Sequence, residues 1–213
     1  VSVVDAVRVA NNALRLIGIG QKISSLDDEN HRAEACKDAY HEARDLILSS
    51  FKWPFTTRRV ALGLVEADPN DDWRFSYRYP INCVVVRRIA DSAGLPDYVP
   101  TPFTLGQDDT GRLIYTDVEN AAAEYSATAD DPGEWPNCFA DAVSGELAER
   151  IAPIFKVGND KLQMAQQFKA QALMRAQGIT QQEQMNAKNI PAAIRARGAG
   201  WPDAWGNYGP RRV

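Results

Sequence analysis

The stretch ILSSFKWPFTTRRVALGL, residues 47–64, is where the chain changes its structural period. Before it, apolar residues recur at helical spacing. After Pro54, which disfavours helical geometry in the residue before it, the text turns to β-branched residues bounded by turn formers. Reading outward from this border predicts an α+β chain: a mainly α-helical bundle of about four helices, an antiparallel β-rich insertion and an extended C-terminal arm.

Toward the N-terminus, Ala33, Cys36, Tyr40, Ala43, Ile47 and Ser50 form one inward stripe, with Arg32, Lys37, Asp38 and Arg44 on the polar face. Ser25 or Asp27/Asp28 can cap this helix. An earlier helix is marked by Val3, Val7, Ala10, Leu14 and Ile17. Ser2 with Asp5 resembles a capping box at its start, and Gly18 and Gly20 permit its stop. Toward the C-terminus, strands are expected at Thr56–Leu64, Arg74–Tyr79, Cys83–Ile89, Arg112–Thr116 and Ala122–Ala127. Turns fall at Asp68-Pro69-Asn70-Asp71 and Asp109-Thr110-Gly111, and Gly94–Pro102 is an irregular connection.

Helical spacing returns after Pro136, with Ala140, Val143, Leu147, Ile151 and Ile154 as one stripe and Pro153 as its end. A last helix starts near Asn159/Asp160, turns Leu162, Ala165, Phe168, Ala172 and Ala176 inward, and is interrupted or closed by Gly178. Residues 180–190 are polar and Gln-rich, and suit an exposed continuation. The expected organisation is therefore 1–55 for the N-terminal helices, 56–130 for the β-rich insertion, 131–185 for the C-terminal helices and 186–213 for the arm. Leu14, Ile17, Tyr40, Ile47, Leu147 and Ile151 are expected core residues, with Trp53 closing one end.

At 213 residues, 45% hydrophobic and 24% charged, the composition is that of an ordinary globular chain. No apolar run reaches the roughly 18–20 residues of a membrane-spanning helix. Asp5 and Arg8 stand where a secretory signal would be apolar, so neither membrane association nor export is expected. Cys36, Cys83 and Cys138 are an odd, widely spaced set, which predicts reduced, buried thiols and no metal site.

Searches for catalytic motifs come back empty. The chain has no GxxxxGK[ST] loop, GxGxxG turn, HExxH pair or GxSxG elbow. His31 and His41 are ten residues apart on one helix and point about 80° from each other, a poor arrangement for joint ligands. Glu134, Glu146, Glu149, Asp130 and Asp131 are candidates for a carboxylate pair acting on cell-wall glycan, as in glycoside hydrolysis. Glu146 and Arg150, four residues apart, read more simply as a surface ion pair. No catalytic residue, metal or cofactor is expected.

Charge is unevenly spread. From Asn186 to Val213 five basic residues (Lys188, Arg195, Arg197, Arg211, Arg212) stand against Asp203 alone, while the whole chain is −4, so the body is acidic and the tail basic. An acidic body argues against ordinary duplex DNA binding. In the tail, Arg195, Arg197, Trp201, Trp205, Tyr208, Arg211 and Arg212 combine rigid aromatic area with bidentate cations, the residue types that dominate interfaces. They are expected to dock on a protein partner. Single-stranded nucleic acid, with bases stacked on aromatics, is the competing reading, and a solvated tail the third.

Two stretches of the body resemble the head-to-tail adaptor (connector) proteins of tailed phages, especially the tail tubular protein A type of short-tailed phages. The first runs through Asn12, Ala13, Leu14, Leu16, Ile17, Gly18, Ile23, Ser25, Leu26 and Asp27, then Ala33, Tyr40, Arg44, Leu48, Trp53, Phe55 and Arg59. The second is Pro136, Phe139, Ala142, Leu147, Ala148, Ile151, Ala152 and Pro153. The resemblance implies a helical bundle with a β-rich insertion, assembled as a homo-oligomeric ring, typically a dodecamer, at the head–tail junction of the virion. It implies a portal protein on one side, a nozzle or other tail protein on the other, and genomic DNA passing through the lumen without specific binding. An acidic subunit suits such a conduit, because it repels phosphates.

Overall fold

The computed structural model of the chain describes residues 5–91 and 101–188, with backbone alone at 91 and 183–188. Helix α1 (Ala6–Leu16) begins where the Asp5 carboxylate accepts from the Arg8 amide, so Asp5 is itself the cap; Ser2 and Val3 lie outside the described residues. It ends at Gly18, whose φ of +86° few other residues adopt, with the Ile19 amide donating back to the Leu14 carbonyl. Helix α2 (His31–Ser50) is capped by Asn30, which accepts from the Arg32 and Ala33 amides. The expected caps serve the preceding loop instead. Ser25 Oγ accepts from the Asp27 amide and Asp28 from the Ser24 amide.

Helix α3 (Asn137–Ile151) starts directly after Pro136 and packs against both α1 and α2. Burial on nearly all sides, from Phe139 and Val143 to Ser144 and Glu146, makes it the central helix. It stops two residues before Pro153, which leaves Ile154 exposed rather than in the stripe. Helix α4 (Asn159–Lys188) meets α3 where Gly145 lies under Lys169: a Cβ added there would sit 2.8 Å from the Lys169 Cβ and 3.1 Å from its Cα. Such close approach needs glycine.

Two compact units divide the chain, Val1–Met174 and Arg175–Val213. In the second, the described part is the continuation of α4 to Lys188, with Ala176 buried and Gly178 in open space. Gly178 therefore neither interrupts nor closes the helix. The i→i+4 ladder needs no side chain, and an exposed glycine weakens a long helix by only about 1 kcal/mol.

The expectation of a mainly helical bundle does not hold. Seven strands form two antiparallel sheets with a core of their own, so the described fold is mixed α+β. The first sheet has the order β1 (Thr57–Ala61), β7 (Ala121–Ala127), β4 (Cys83–Asp91); the second has β2 (Leu64–Asn70), β3 (Trp73–Arg78), β6 (Gly111–Thr116), β5 (Thr104–Asp108). Tyr77 and Ile114 of the second pack on Val86, Ile89, Ala121 and Ala123 of the first. The Tyr77 hydroxyl donates to the Val118 carbonyl at 2.8 Å and accepts from the Ala121 amide.

Two strands are additions to the sequence reading. Thr56–Leu64 is not one strand: the chain breaks at Leu62-Gly63, and β1 and β2 join different sheets. Strand β2 then runs through Asp68-Pro69-Asn70, with the hairpin turn displaced to Asp71-Asp72. Proline is tolerated because β2 is an edge strand and the register shifts between Ala67 and Asn70, where Asp68 has φ +52°. Strand β5 carries Gly106 in its middle, and the Tyr115 ring covers the space a side chain would fill. The Asp109-Thr110 turn lies between β5 and β6, with Asp108 opposite Gly111. Of the connection Gly94–Pro102, residues 94–100 lie outside the described set.

Helices and sheets are tied by arginine and aromatic contacts. Arg87 of β4 donates from Nη2 to the Leu48 and Phe51 carbonyls, 2.8 Å each, and from Nε to Ser126 Oγ at 3.0 Å. It thereby satisfies carbonyls at the C-terminal end of α2. Trp53, 1% exposed, donates from Nε1 to the Ile47 carbonyl and sits edge-on to Phe51, Phe55 and Phe139. Tyr40 stacks on Trp135, which in turn meets Phe139, so the ends of α2 and α3 share one aromatic cluster.

Candidate functional site

The seven residues expected to dock on a partner, Arg195, Arg197, Trp201, Trp205, Tyr208, Arg211 and Arg212, lie outside the described residues. The carboxylates considered for hydrolysis fall within them. Asp130 pairs with Arg44 Nη1 at 2.6 Å, and Asp131 accepts from the Gly133 amide in its own turn. Glu134 is exposed on that turn.

Glu146 and Glu149 are bridged by one ammonium, Lys169, at 2.9 and 2.6 Å. Burial alone would lower the Lys169 pKa, but Glu149 and Glu146 outweigh it and raise the pKa above the usual lysine value. Glu146 also accepts from Arg150 Nε at 2.8 Å, and Arg150 reaches Glu42 of α2 at 2.6 Å. The expected Glu146–Arg150 pair is present but is a link between three helices, buried at its Glu146 end, where Lys169 of α4 covers it, and partly exposed at Arg150. Arg44 is likewise buried rather than on a polar face, its guanidinium held by Asp45 and Asp130.

Cys36 is buried, which pushes its thiol up to about 11; Cys83 and Cys138 are half-buried, and all three are free thiols. His31 lies against the Phe155 ring and His41 against Tyr40. Among the described residues no group of three or more His, Cys, Asp or Glu is placed to hold a metal ion, and no helix is long and apolar enough to cross a membrane.

What the structure shows instead are two exposed sheet edges and two charged clefts. The outer strands β1 and β2 expose most of their residues, including Val60, Leu64 and Val65, and their outer edges carry no strand partner among the described residues. Two clefts of opposite charge flank the loop between α1 and α2.

The first cleft, of about 390 Å³, is lined by Arg8, Asn11, Asn12 and Arg15 of α1 and by Gln21 and Lys22 of the loop. None of its described lining residues is acidic. The loop is pinned there by Asn11, which exchanges two hydrogen bonds with the Ile23 backbone at 2.9 and 3.0 Å. The second cleft, of about 460 Å³, carries Asp27, Asp28, Glu29, Glu34 and Asp38, with Lys37 paired to Asp27.

Neither cleft is among the sites expected from the sequence. Their helical halves had a signal, since Arg8 and Arg15 are seven residues apart and share a helix face. The contribution of Lys22 had none, because it depends on the Asn11 clamp. Compared with known proteins, the chain matches no protein-family model and no curated protein.

Proposed function

We propose that the chain is a structural head-to-tail adaptor of a tailed phage, of the tail tubular protein A type. It forms a homo-oligomeric ring between the portal protein and a nozzle or other tail protein, with genomic DNA passing through the lumen. The role is architectural, and the chain acts in the virion at the head–tail junction, most simply as a dodecamer. One observation carries this reading: the two stretches that resemble the family, separated by the whole run of strands, meet as one packed unit. Trp53 and Phe55 of the first lie 4.8 and 5.2 Å from Phe139 of the second, ring centre to ring centre. Leu14, Leu147, Ala148 and Ile151 are buried in the same set of helices.

Closed rings require two different patches on each subunit, and a chain bearing a basic and an acidic cleft has them. The basic Trp-containing tail, centred on Arg195, Arg197, Trp201, Trp205, Tyr208, Arg211 and Arg212, is the segment we assign to portal docking. Light scattering on the purified chain, alone and mixed with the portal of the same virus, tests the reading. A ring that forms alone or on the portal, and that loses the portal when residues 191–213 are deleted, is expected. A chain that remains a single copy and never joins the portal rules the adaptor out.

A further inference from the structure

We infer that the basic cleft beside α1 receives the acidic edge of the next copy of this chain, a head-to-tail contact that rests on the ring reading and gives it an interface. Four observations lead there. The cleft is concave and holds three cations, Arg8, Arg15 and Lys22, with no acidic residue among its described lining. Within the described residues Arg15 and Lys22 make no ion pair, and Arg15 has only a 3.5 Å hydrogen bond to Asn12. Two adjacent, uncompensated cations on a chain of net charge −4 repel each other and attract an anionic partner.

A matching partner exists on the same chain. The second cleft gathers five carboxylates around the start of α2, and Lys37, paired with Asp27, is the one lysine or arginine in its described lining. Glu29 is exposed and makes no ion pair among the described residues. Arg8 and Arg15 stand on α1 and Glu34 and Asp38 on α2, while Lys22 and Asp27, Asp28 and Glu29 stand on the loop between them, and α3 packs against both helices.

A second copy is favoured over a nucleic acid, because the same chain carries a local, exposed set of carboxylates to match the cleft, whereas a polyphosphate continues past the cleft along an acidic body. The amides of Asn11, Asn12 and Gln21 do not carry the attraction. Asn11 is already committed to Ile23 and Gln21 to Arg32, at 2.7 Å, and Arg8 donates to Asn137 at 3.1 Å, so these hold the cleft's shape while the exposed Arg15 and Lys22 are left to the ligand. Charge complementarity of this kind acts mainly on encounter rate and register and is strongly salt-dependent.

The experiment is a charge swap on the full chain, read by light scattering at low and high salt, alone and on the portal. Arg15→Glu with Lys22→Glu reverses the cleft; Glu29→Lys with Asp38→Lys reverses the edge; a third chain carries all four changes. All four sites are exposed, and thermal melting checks that each chain folds. Each two-site variant is expected to weaken assembly by about a hundredfold, since two opposite-charge contacts at every interface become like-charge ones, and the four-site chain is expected to assemble again.

Assembly that survives both reversals overturns this inference and leaves the ring reading standing. A four-site chain that folds and does not assemble overturns it too. If the wild-type chain stays a single copy under every condition, or stops at a two-fold dimer through reciprocal pairing, the ring reading falls with it. If Arg15→Glu with Lys22→Glu leaves assembly intact and removes salt-dependent binding of a DNA oligonucleotide, the cleft's ligand is phosphate and not a sister subunit.

Discussion

The helices around α3 and the pair of sheets are built from the same chain by different means. Around α3, bulky side chains interlock: Trp53, Phe139, Leu14, Leu147 and Ile151 are each at most 1% exposed, and the central helix is covered on nearly every side. In the sheets, a small core centred on Tyr77, Ile89 and Ile114 supports outer strands that face solvent. One region is held by side-chain packing, the other by backbone ladders. The first therefore tolerates little change, and the second has edges to spare for a neighbour.

The largest expected effect breaks the helical side. Trp53→Ala removes the ring shared by the end of α2 and the start of α3, and should cost about 4 kcal/mol in denaturant unfolding, as large aromatic deletions from a core do. An effect below about 1 kcal/mol would mean that this cluster collapses around the gap, and that the contrast between the regions is overdrawn.

Next, Arg87→Met cuts the link between the two. Three hydrogen bonds from one guanidinium are lost, and carbonyls near the end of α2 are left without a partner. A loss of about 2 kcal/mol is expected. Hydrogen exchange should show α2 and β4 opening at different free energies in the variant and together in the parent. Equal opening in both would show that packing alone couples them.

Lys169 sharpens the picture by pH. Its pKa in the folded chain is raised, so its contribution is fully present below the unfolded value of about 10.4 and is lost as pH rises through the raised folded value. Thermal melts should fall in this alkaline window, and Lys169→Met, at a cost of about 1–2 kcal/mol near neutral pH, should remove that part of the slope. A slope unchanged in the variant would place it on another group.

The smallest effects compare two glycines. Gly145→Ala gains about 1 kcal/mol of helix propensity but forces α3 from Lys169, which costs about 1–3 kcal/mol, so net destabilisation is expected. Gly178→Ala meets nothing within 4 Å and should stabilise α4 by about 0.5–1 kcal/mol, read as slower amide exchange along residues 175–188. Equal responses at both sites would dismiss the close approach of α3 and α4.

Legibility in the sequence followed range. The stripe Ala33–Ile47, the stop at Gly18, the start after Pro136 and the Asp109-Thr110 turn were readable, because a period or a special backbone residue lies within a few positions of what it controls. Four of the seven described strands, β3, β4, β6 and β7, were placed for the same reason, and β1 only as part of a longer run. Of the proposed interface, the Arg8–Arg15 face was visible in principle, while Lys22 reached it only through the loop's return to Asn11.

What the sequence alone determined is the placement of the helices and of most strands and that a basic, aromatic tail follows an acidic body, since period, caps and charge are local sums. Only the tertiary structure decided that Thr57–Ala61 and Leu64–Asn70 part into different sheets, that Arg44 and Glu146 are buried ions rather than surface charges, and that α3 lies at the centre. Each of these depends on a partner far along the chain, as Arg44 on Asp130 or Glu146 on Lys169, and burial is a property of the neighbours a residue acquires, not of its own type.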